Sequence, residues 1–136
     1  MVLSKTTSYS LRILIRLASL EGEEITAGRL QQELAIPNRY LRRLLTELTK
    51  HGLIRSIQGR YGGYLLARRS DTIRISEVIE AIEDFESLNR CILGVPDCAL
   101  KEKCAMHDIW EEIKNKMVST FSGTSLHDLK NRSMAG

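Results

Sequence analysis

The sequence predicts a mainly α-helical fold with a small β-hairpin: a winged helix-turn-helix followed by a long C-terminal helix. Three observations lead to this prediction. Apolar residues recur at helical spacing in three consecutive segments, a glycine-rich turn then separates two short apolar runs, and a strongly apolar helical stripe follows nearer the C-terminal end. The length of 136 residues fits one compact domain with a small extension.

The first half contains three predicted helices, at residues 7–20, 26–34 and 38–50. Thr26 is a potential N-cap of the second helix, and the third follows Pro37, whose ring disfavours helix in the residue before it. The apolar stripe of the third helix consists of four leucines: Leu41, Leu44, Leu45 and Leu48. Its opposite face is polar and basic, with Asn38, Arg39, Arg42, Arg43 and Thr46.

A change of periodicity after the third helix predicts two strands, residues 53–57 and 64–67. Between them, residues 58–63 have the glycine content that a hairpin tip requires. The order helix, helix, tight turn, helix, hairpin is that of a winged helix-turn-helix, which is a DNA-binding architecture. This domain is assigned residues 1–84 and includes a fourth helix capped by Ser76.

The second half is predicted to contain a long loop (residues 85–107), a helix (residues 105–121) and a polar tail (residues 122–136). The stripe of this helix is more apolar than expected for a helix near the end of the chain that packs against nothing. Packing against its own domain is one explanation, but we favour pairing with the same helix of a second copy, which makes a homodimer. The stripe begins at Met106, and the predicted dimer interface comprises Ile109, Trp110, Ile113, Met117 and Phe121.

The formal net charge of +3 is divided unevenly along the chain. Residues 1–70 carry 12 basic and 5 acidic side chains, a net charge of +7, whereas residues 71–136 carry 8 basic and 12 acidic side chains, a net charge of −4. A solvated basic surface would account for the charge alone. Together with the predicted fold, the charge indicates a polyanion as the partner of the first half, namely double-stranded DNA.

The third helix is expected to lie in the major groove, where arginine can bind guanine and asparagine can bind adenine through paired hydrogen bonds. Phosphate contacts need only a cation or another donor, which four cations could supply: Lys5, Arg12, Arg16 and Lys50. Arg60 is flanked by glycines at the hairpin tip and could enter a minor groove. The predicted DNA-binding residues are Asn38, Arg39, Arg42, Arg43, Arg60, Lys5 and Thr26.

Three thiols and one imidazole fall within 17 residues, at Cys91, Cys98, Cys104 and His107. Four such donors could hold a tetrahedral zinc ion or an iron–sulfur cluster. Structural zinc sites usually have gaps of about two to four residues between paired ligands, and the gaps of six and five residues found here suit the larger cluster better. A metal-free thiol redox switch stays open, as does a Cys–His nucleophilic pair, for which no orienting residue or oxyanion donor set is evident.

The chain resembles the IscR-like iron–sulfur cluster transcriptional regulators, a family that also includes the nitric-oxide sensor NsrR. Three features carry the resemblance: the wing SIQGRYGGYLLA at residues 56–67, the ISEVIEA motif at residues 75–81, and the cysteine segment ending in CAMH. The similarity extends from Leu3 to about Leu129. It implies a homodimeric winged-helix regulator whose operator binding responds to iron–sulfur status, oxidation or nitric oxide.

The IscR branch implies a 2Fe-2S cluster held by the three cysteines and His107. In the NsrR branch, a 4Fe-4S cluster takes the three cysteines and an aspartate near the start of the first helix, where this chain has Ser8, a poor ligand. A 2Fe-2S cluster is therefore favoured over a 4Fe-4S cluster. Two departures from IscR stand out: the first cysteine gap is one residue longer, and Gln58 replaces the arginine common before the first wing glycine, a role that Arg60 could take over.

The first residues lack the plan of a signal peptide, and arginines interrupt the longest apolar stretches. The odd number of cysteines, all within residues 91–104, does not fit a secreted disulfide framework. We therefore expect a cytoplasmic DNA-binding protein that is not an enzyme and has neither a membrane nor a small-molecule substrate as partner. The alternative is a zinc-stabilised regulator, or a cluster-free thiol switch, of the same fold.

Overall fold

The computed structural model describes residues 4–60, 62–83 and 105–131. In chain order the helices are α1 (Lys5–Ser19), α2 (Ala27–Leu34), α3 (Asn38–Lys50), α4 (Ile75–Ile82), α5 (Ala105–Gly123) and α6 (Leu126–Asn131). After α3 the strands β1 (Ile54–Ile57) and β2 (Gly63–Leu66) form an antiparallel hairpin, and a short 3-10 turn (Ser70–Thr72) precedes α4. This order confirms the predicted winged helix-turn-helix with a long C-terminal helix. The predicted Ser76 cap is wrong, because α4 already begins at Ile75 with Arg74 at the N-cap position.

Helix α1 is the centre of the packing. It begins two residues before the predicted start because Ser4 caps it, with the Thr7 amide donating to Ser4 Oγ at 3.2 Å. Its apolar face contacts α2, α3, α4, α6 and β2. The core that results is formed by side chains with at most 1% of their surface exposed: Ile13, Leu14, Leu30, Ile36, Leu41, Leu45, Leu48, Ile73, Val78 and Leu126.

The hairpin, or wing, is attached to the segment before α2 by a pair of backbone hydrogen bonds. The Ile25 amide donates to the Tyr64 carbonyl at 3.1 Å, and the Tyr64 amide donates to the Ile25 carbonyl at 2.8 Å. Gly63 lies at this junction, where a Cβ atom would sit 2.6 Å from the Ile25 carbonyl oxygen. The glycine that the sequence suggested for a turn is therefore required for a close backbone approach.

We expect Gly63→Ala to lower the free energy of unfolding by about 1–3 kcal/mol, because the new methyl group overlaps backbone atoms that cannot rotate away. Urea denaturation monitored by circular dichroism measures this change. The matched control is Gly28→Ala within α2, where a Cβ atom meets nothing within 4 Å. It should raise stability by roughly 0.5–1 kcal/mol through helix propensity. Equal stability of the two variants would contradict the proposed reason for the wing glycine.

The segment after α5 differs from the expected polar tail. It contains α6, whose Leu126 is fully buried against the winged-helix core. Backbone hydrogen bonds secure this return of the chain, since the Ile75 amide donates to the Thr124 carbonyl and the Leu126 amide to the Ile73 carbonyl, both at 3.0 Å. The sequence indicated only a short turn around residues 126–129, and the structure forms a helix there because Leu126 is buried in the winged-helix core and Leu129 packs against Ile75 and Ile79.

Candidate nucleic-acid interface and cysteine segment

Helices α2 and α3 are joined by the three-residue turn that a helix-turn-helix requires. Ala35 adopts a left-handed conformation with φ of 53° and donates its amide to the Gln31 carbonyl at 2.9 Å. Ile36 is buried, and the Leu41 amide donates to the Pro37 carbonyl at 3.0 Å as α3 begins. The turn therefore fixes the direction in which the first residues of α3 leave the core.

The outer face of α3 is exposed and cationic. The predicted leucine stripe is buried, and the five polar residues predicted for the opposite face are all exposed: Asn38, Arg39, Arg42, Arg43 and Thr46. Across the described parts of the chain, the guanidinium groups of Arg39, Arg42 and Arg43 form no ion pair. Their charge is thus available to an external anion.

The wing lies beside the start of α2. A cleft of about 240 Å³ separates them, and it is lined by Thr26 and Ala27 on one side and by wing residues on the other. Thr26 is exposed and caps α2, since its Oγ1 accepts a hydrogen bond from the Arg29 amide at 3.2 Å. Arg60 is exposed at the wing tip next to Gly59, whose φ of 117° makes the turn.

The first turns of α1 meet the first turn of α3 through an aromatic pair. The rings of Tyr9 and Tyr40 lie with centroids 6.3 Å apart and planes at 54°. Lys5 is exposed one turn before Tyr9 and lies on the same side of α1 as this contact. Tyr40 is 50% exposed and was missed in the sequence, where its position between the stripe and the basic face gave no signal.

Two of the cations considered for phosphate contact are engaged within the chain. The Arg12 guanidinium donates to the Leu34 carbonyl and lies 5.8 Å from the centre of the Tyr9 ring. Arg16 donates to both carboxylate oxygens of Glu33, at 2.6 and 3.2 Å. Hydrogen bonds from Arg16 and Arg29 hold the pKa of Glu33 below its usual value, Arg16 being the larger cause. Arg12 and Arg16 thus fasten α1 to α2, whereas Lys50 is exposed at the end of α3.

The apolar stripe of α5 divides into two parts. Trp110 is already buried within the single chain, with 7% of its surface exposed, and Met117 and Phe121 pack against a cluster formed by Ile75 and Ile79 of α4. A second set of side chains remains on the surface: Met106 at 36% exposure, Ile109 at 51% and Ile113 at 49%. Of the five predicted interface residues, Ile109 and Ile113 are therefore the exposed ones. Within the described ranges, no helix combines the length and apolar character needed to cross a membrane.

The predicted ligand set falls mostly outside the described residues. Cys91, Cys98 and Cys104 lie there, whereas His107 is half-buried in the first turn of α5. The Glu111 carboxylate, one turn further along, has its pKa lowered chiefly by a hydrogen bond from Lys114, and the charge of His107 contributes in the same direction. Ser8, at the position of the aspartate in the NsrR branch, is exposed on α1.

A family model described as Rrf2, an iron-dependent transcriptional regulator, matches residues 3–132. A protein of Aquifex aeolicus (strain VF5) described as an HTH-type transcriptional regulator is 32% identical, over 96% of this chain and 92% of its own length. The HTH-type transcriptional regulator IscR of Xenorhabdus nematophila is 31% identical, over 85% of this chain and 69% of its own. The structure of CymR, the global cysteine regulator of B. subtilis, is similar with a TM-score of 0.83 and 27% identity over 98% of both chains.

These proteins are regulators of transcription and not enzymes, which agrees with the fold and with the exposed basic face of α3. The match to the family model spans the winged helix, the cysteine segment, α5 and α6. The chain belongs to the Rrf2 family of iron-dependent transcriptional regulators.

Proposed function

We propose that the chain is a homodimeric regulator that binds operator DNA through α3 and the wing, and whose DNA affinity is controlled by an iron–sulfur cluster. The observation that carries the DNA-binding part is the set of arginines on the exposed face of α3 that form no ion pair with any described residue. Unpaired cations on the second helix of a helix-turn-helix are suited to base edges and phosphates. Since DNA is the partner, we place the protein in the cytoplasm.

Within this interface, different residues have different tasks. Asn38, Arg39, Arg42 and Arg43 face the major groove, where arginine and asparagine can make paired hydrogen bonds to purines. Thr26, at the start of α2, and Lys5, at the start of α1, contact phosphates on either side. Arg60 at the wing tip reaches the minor groove, in which a narrow width favours arginine.

The homodimer is supported by the surface of α5. Met106, Ile109 and Ile113 present apolar side chains on a helix whose Trp110, Met117 and Phe121 are already buried or packed within the chain. A second copy of α5 with the same surface would cover them in a symmetric contact. Two α3 helices could then enter successive major grooves, roughly 34 Å apart.

The cysteine segment supplies the donors for the cluster. Cys91, Cys98, Cys104 and His107 offer three thiolates and one imidazole, a donor set that suits a 2Fe-2S cluster, with a 4Fe-4S cluster as the second choice. When bound, the cluster supplies a centre sensitive to oxidation, nitric oxide and iron–sulfur status. His107 belongs to α5, so a cluster bound to its imidazole would be attached directly to the helix that we assign to the dimer interface.

Contacts of the helices on either side of the cysteine segment link it to the proposed DNA-binding surface. Glu83, the last described residue before the cysteines, accepts a hydrogen bond from the Ser4 amide at 2.9 Å, and Lys5 follows Ser4. On the other side of the segment, α5 packs on α4. A difference of about 1.4 kcal/mol in cluster affinity between two arrangements of these helices changes DNA affinity about tenfold.

The alternative is a thiol switch without a cluster, or a zinc-stabilised regulator. The similarity to CymR, described as a global cysteine regulator, supports the thiol switch as the alternative. In that case two of the three cysteines would form a disulfide on oxidation, and the DNA interface would be unchanged.

Purification without oxygen distinguishes these possibilities. We expect a coloured protein with about two iron and two sulfide ions per chain, measured by elemental analysis, sulfide assay and visible absorption. Single replacements Cys91→Ser, Cys98→Ser and Cys104→Ser should remove most of the iron, and His107→Ala should lower it or change the spectrum. The control is His51→Ala, which removes an exposed histidine at the end of α3.

Three results would contradict the cluster. A colourless protein with about one zinc ion per chain would favour the zinc regulator. A metal-free protein whose oxidation joins two cysteines, identified by mass spectrometry, would favour the thiol switch. If the cysteine replacements leave the iron content unchanged, these cysteines are not the ligands of the cluster.

A further inference from the structure

Thr46 lies in the middle of the exposed face of α3, and none of the tasks assigned above to that face uses it. At about 100° of rotation per residue, Thr46 falls between Arg42 and Arg43 when α3 is viewed along its axis. The leucine stripe occupies the opposite side of the helix, which continues in regular form to Lys50. Thr46 therefore points away from the core in the same general direction as the arginines.

The spacing of the exposed residues links Thr46 to the proposed base contacts. The residues spaced i, i+3, i+4 and i+7 on this face are Arg39, Arg42, Arg43 and Thr46. Such a set forms one strip along two turns of a helix. The base-reading residues on the groove-bound helix of homeodomains have the same spacing. Thr46 thus occupies the fourth position of a strip whose other three members we assign to the major groove.

The hydroxyl group of Thr46 is directed toward its own helix. Oγ1 donates a hydrogen bond to the Arg42 carbonyl at 3.0 Å, which uses the single hydrogen that this side chain can donate. The side chain therefore offers its methyl group, and no donor, to a molecule that covers the face. Among the base edges of the major groove, the matching apolar group is the C5-methyl of thymine, and threonine methyl groups are among those that contact it.

The length of the side chain fits this position. A helix in the major groove comes nearest to the bases at the middle of the face that it presents, so a short side chain is sufficient there. Arg42 and Arg43, which lie on either side of Thr46 around the helix, are long enough to reach bases or phosphates from the flanks. The strip thus combines a central methyl group with flanking cations.

We propose that Thr46 is a specificity-determining residue that contacts the C5-methyl group of a thymine in each operator half-site. This inference rests on the proposed placement of α3 in the major groove and adds a base preference that the arginines do not supply. The methyl group of Thr46 packs on that of the base, next to the positions read by Arg42 and Arg43. Because 5-methylcytosine carries a methyl group at the same place, a methylated cytosine substitutes for the thymine.

Uracil differs from thymine only by this methyl group, so uracil replacements in a selected operator duplex test the contact directly. We expect one sensitive thymine in each half-site, next to the positions whose preference relaxes in Arg42→Gln or Arg43→Gln. Burial of one methyl group corresponds to about three- to fivefold weaker binding for each half-site changed, measured by fluorescence anisotropy. With cytosine at the same position, 5-methylcytosine should bind more tightly than cytosine by a similar factor.

Replacements on α3 assign the effect to Thr46. Thr46→Ser keeps the hydroxyl group and removes the methyl group, so thymine and uracil duplexes should bind equally. Thr46→Val keeps a methyl group and should retain the difference. The control is Thr49→Ser, which removes the methyl group of a second exposed threonine whose Oγ1 also donates within the helix, to the Leu45 carbonyl at 2.7 Å. It lies outside the strip and should retain the difference, and circular dichroism establishes that all three variants are folded.

Three results overturn the inference while leaving DNA binding intact. The operator duplex is bound but no uracil replacement weakens binding, or Thr46→Ser keeps the sensitivity to uracil, or Thr46→Val loses it, which would assign the contact to the hydroxyl group. If selection yields no specifically bound duplex, the proposed function fails, and this inference fails with it. The two failures are thereby distinguished.

Discussion

The double variant Arg42→Gln/Arg43→Gln is expected to bind an operator duplex at least about 100-fold more weakly than the unmodified protein. Each arginine that makes paired hydrogen bonds to a base contributes about 1–3 kcal/mol, and each that contacts a phosphate also releases counterions on binding. Both side chains are exposed on α3 and free of ion pairs within the described residues, so their removal costs the fold little. The expected loss is therefore one of recognition and not of stability.

Fluorescence anisotropy at several salt concentrations measures this loss, with a duplex obtained by selection from random sequences. A base-contacting arginine should relax the sequence preference at one position, whereas a phosphate-contacting arginine should reduce the slope of log affinity against log salt by about one. Each single variant is compared with Arg74→Gln, which also removes one exposed positive charge but at the start of α4. Unchanged affinity of the double variant would contradict the placement of α3 in the major groove.

The second large effect is expected from Ile109→Glu/Ile113→Glu on α5. Both side chains are about half exposed in the single chain, so the carboxylates remain hydrated in a monomer but would be buried next to each other in a dimer. Sedimentation velocity should show the monomer in place of the dimer. Operator affinity should fall by about 100-fold or more, because the two half-sites are no longer bound by one linked pair of domains.

The matched control is Asn115→Glu/Ser119→Glu, which adds the same charge to exposed positions roughly 120° round the same helix from the two isoleucines. It should remain dimeric. If the isoleucine variant also stays dimeric, the interface lies elsewhere. If both variants are monomeric, added charge and not the apolar surface is responsible.

The sequence predicted what local spacing determines. The four leucines of α3 are buried and its basic residues exposed because a helical repeat places them on opposite faces, whatever the rest of the chain does. The roles of Arg12 and Arg16 could not be predicted from the sequence. Their partners, the Leu34 carbonyl and Glu33, lie on a different helix about 20 residues away. Nothing in a linear pattern distinguishes an arginine that binds DNA from one that fastens two helices.

The apolar stripe of α5 shows a second limit of prediction from the sequence. Periodicity placed its apolar residues on one side of the helix but could not divide that side between α4 of the same chain and a partner. The division depends on how α5 lies on α4, which only the folded chain determines. The same applies to α6, because its two leucines alone do not show that backbone hydrogen bonds from Ile75 and to Ile73 hold it against the winged helix.

The contact between α4 and α5 also bears on how this kind of protein can change over time. The cysteine segment joins two helices that pack on each other, and the far end of α5 is bonded back to the start of α4. Both attachment points therefore belong to one packed body, and lengthening the segment by a residue costs only a small increment of loop entropy. The spacing of the proposed ligands can thus drift, or be redesigned, while the basic face of α3 and the apolar surface of α5 keep their positions. On the proposed function the sensing segment is in this sense interchangeable, and the extra residue in the first cysteine gap is the kind of variation that such an arrangement tolerates.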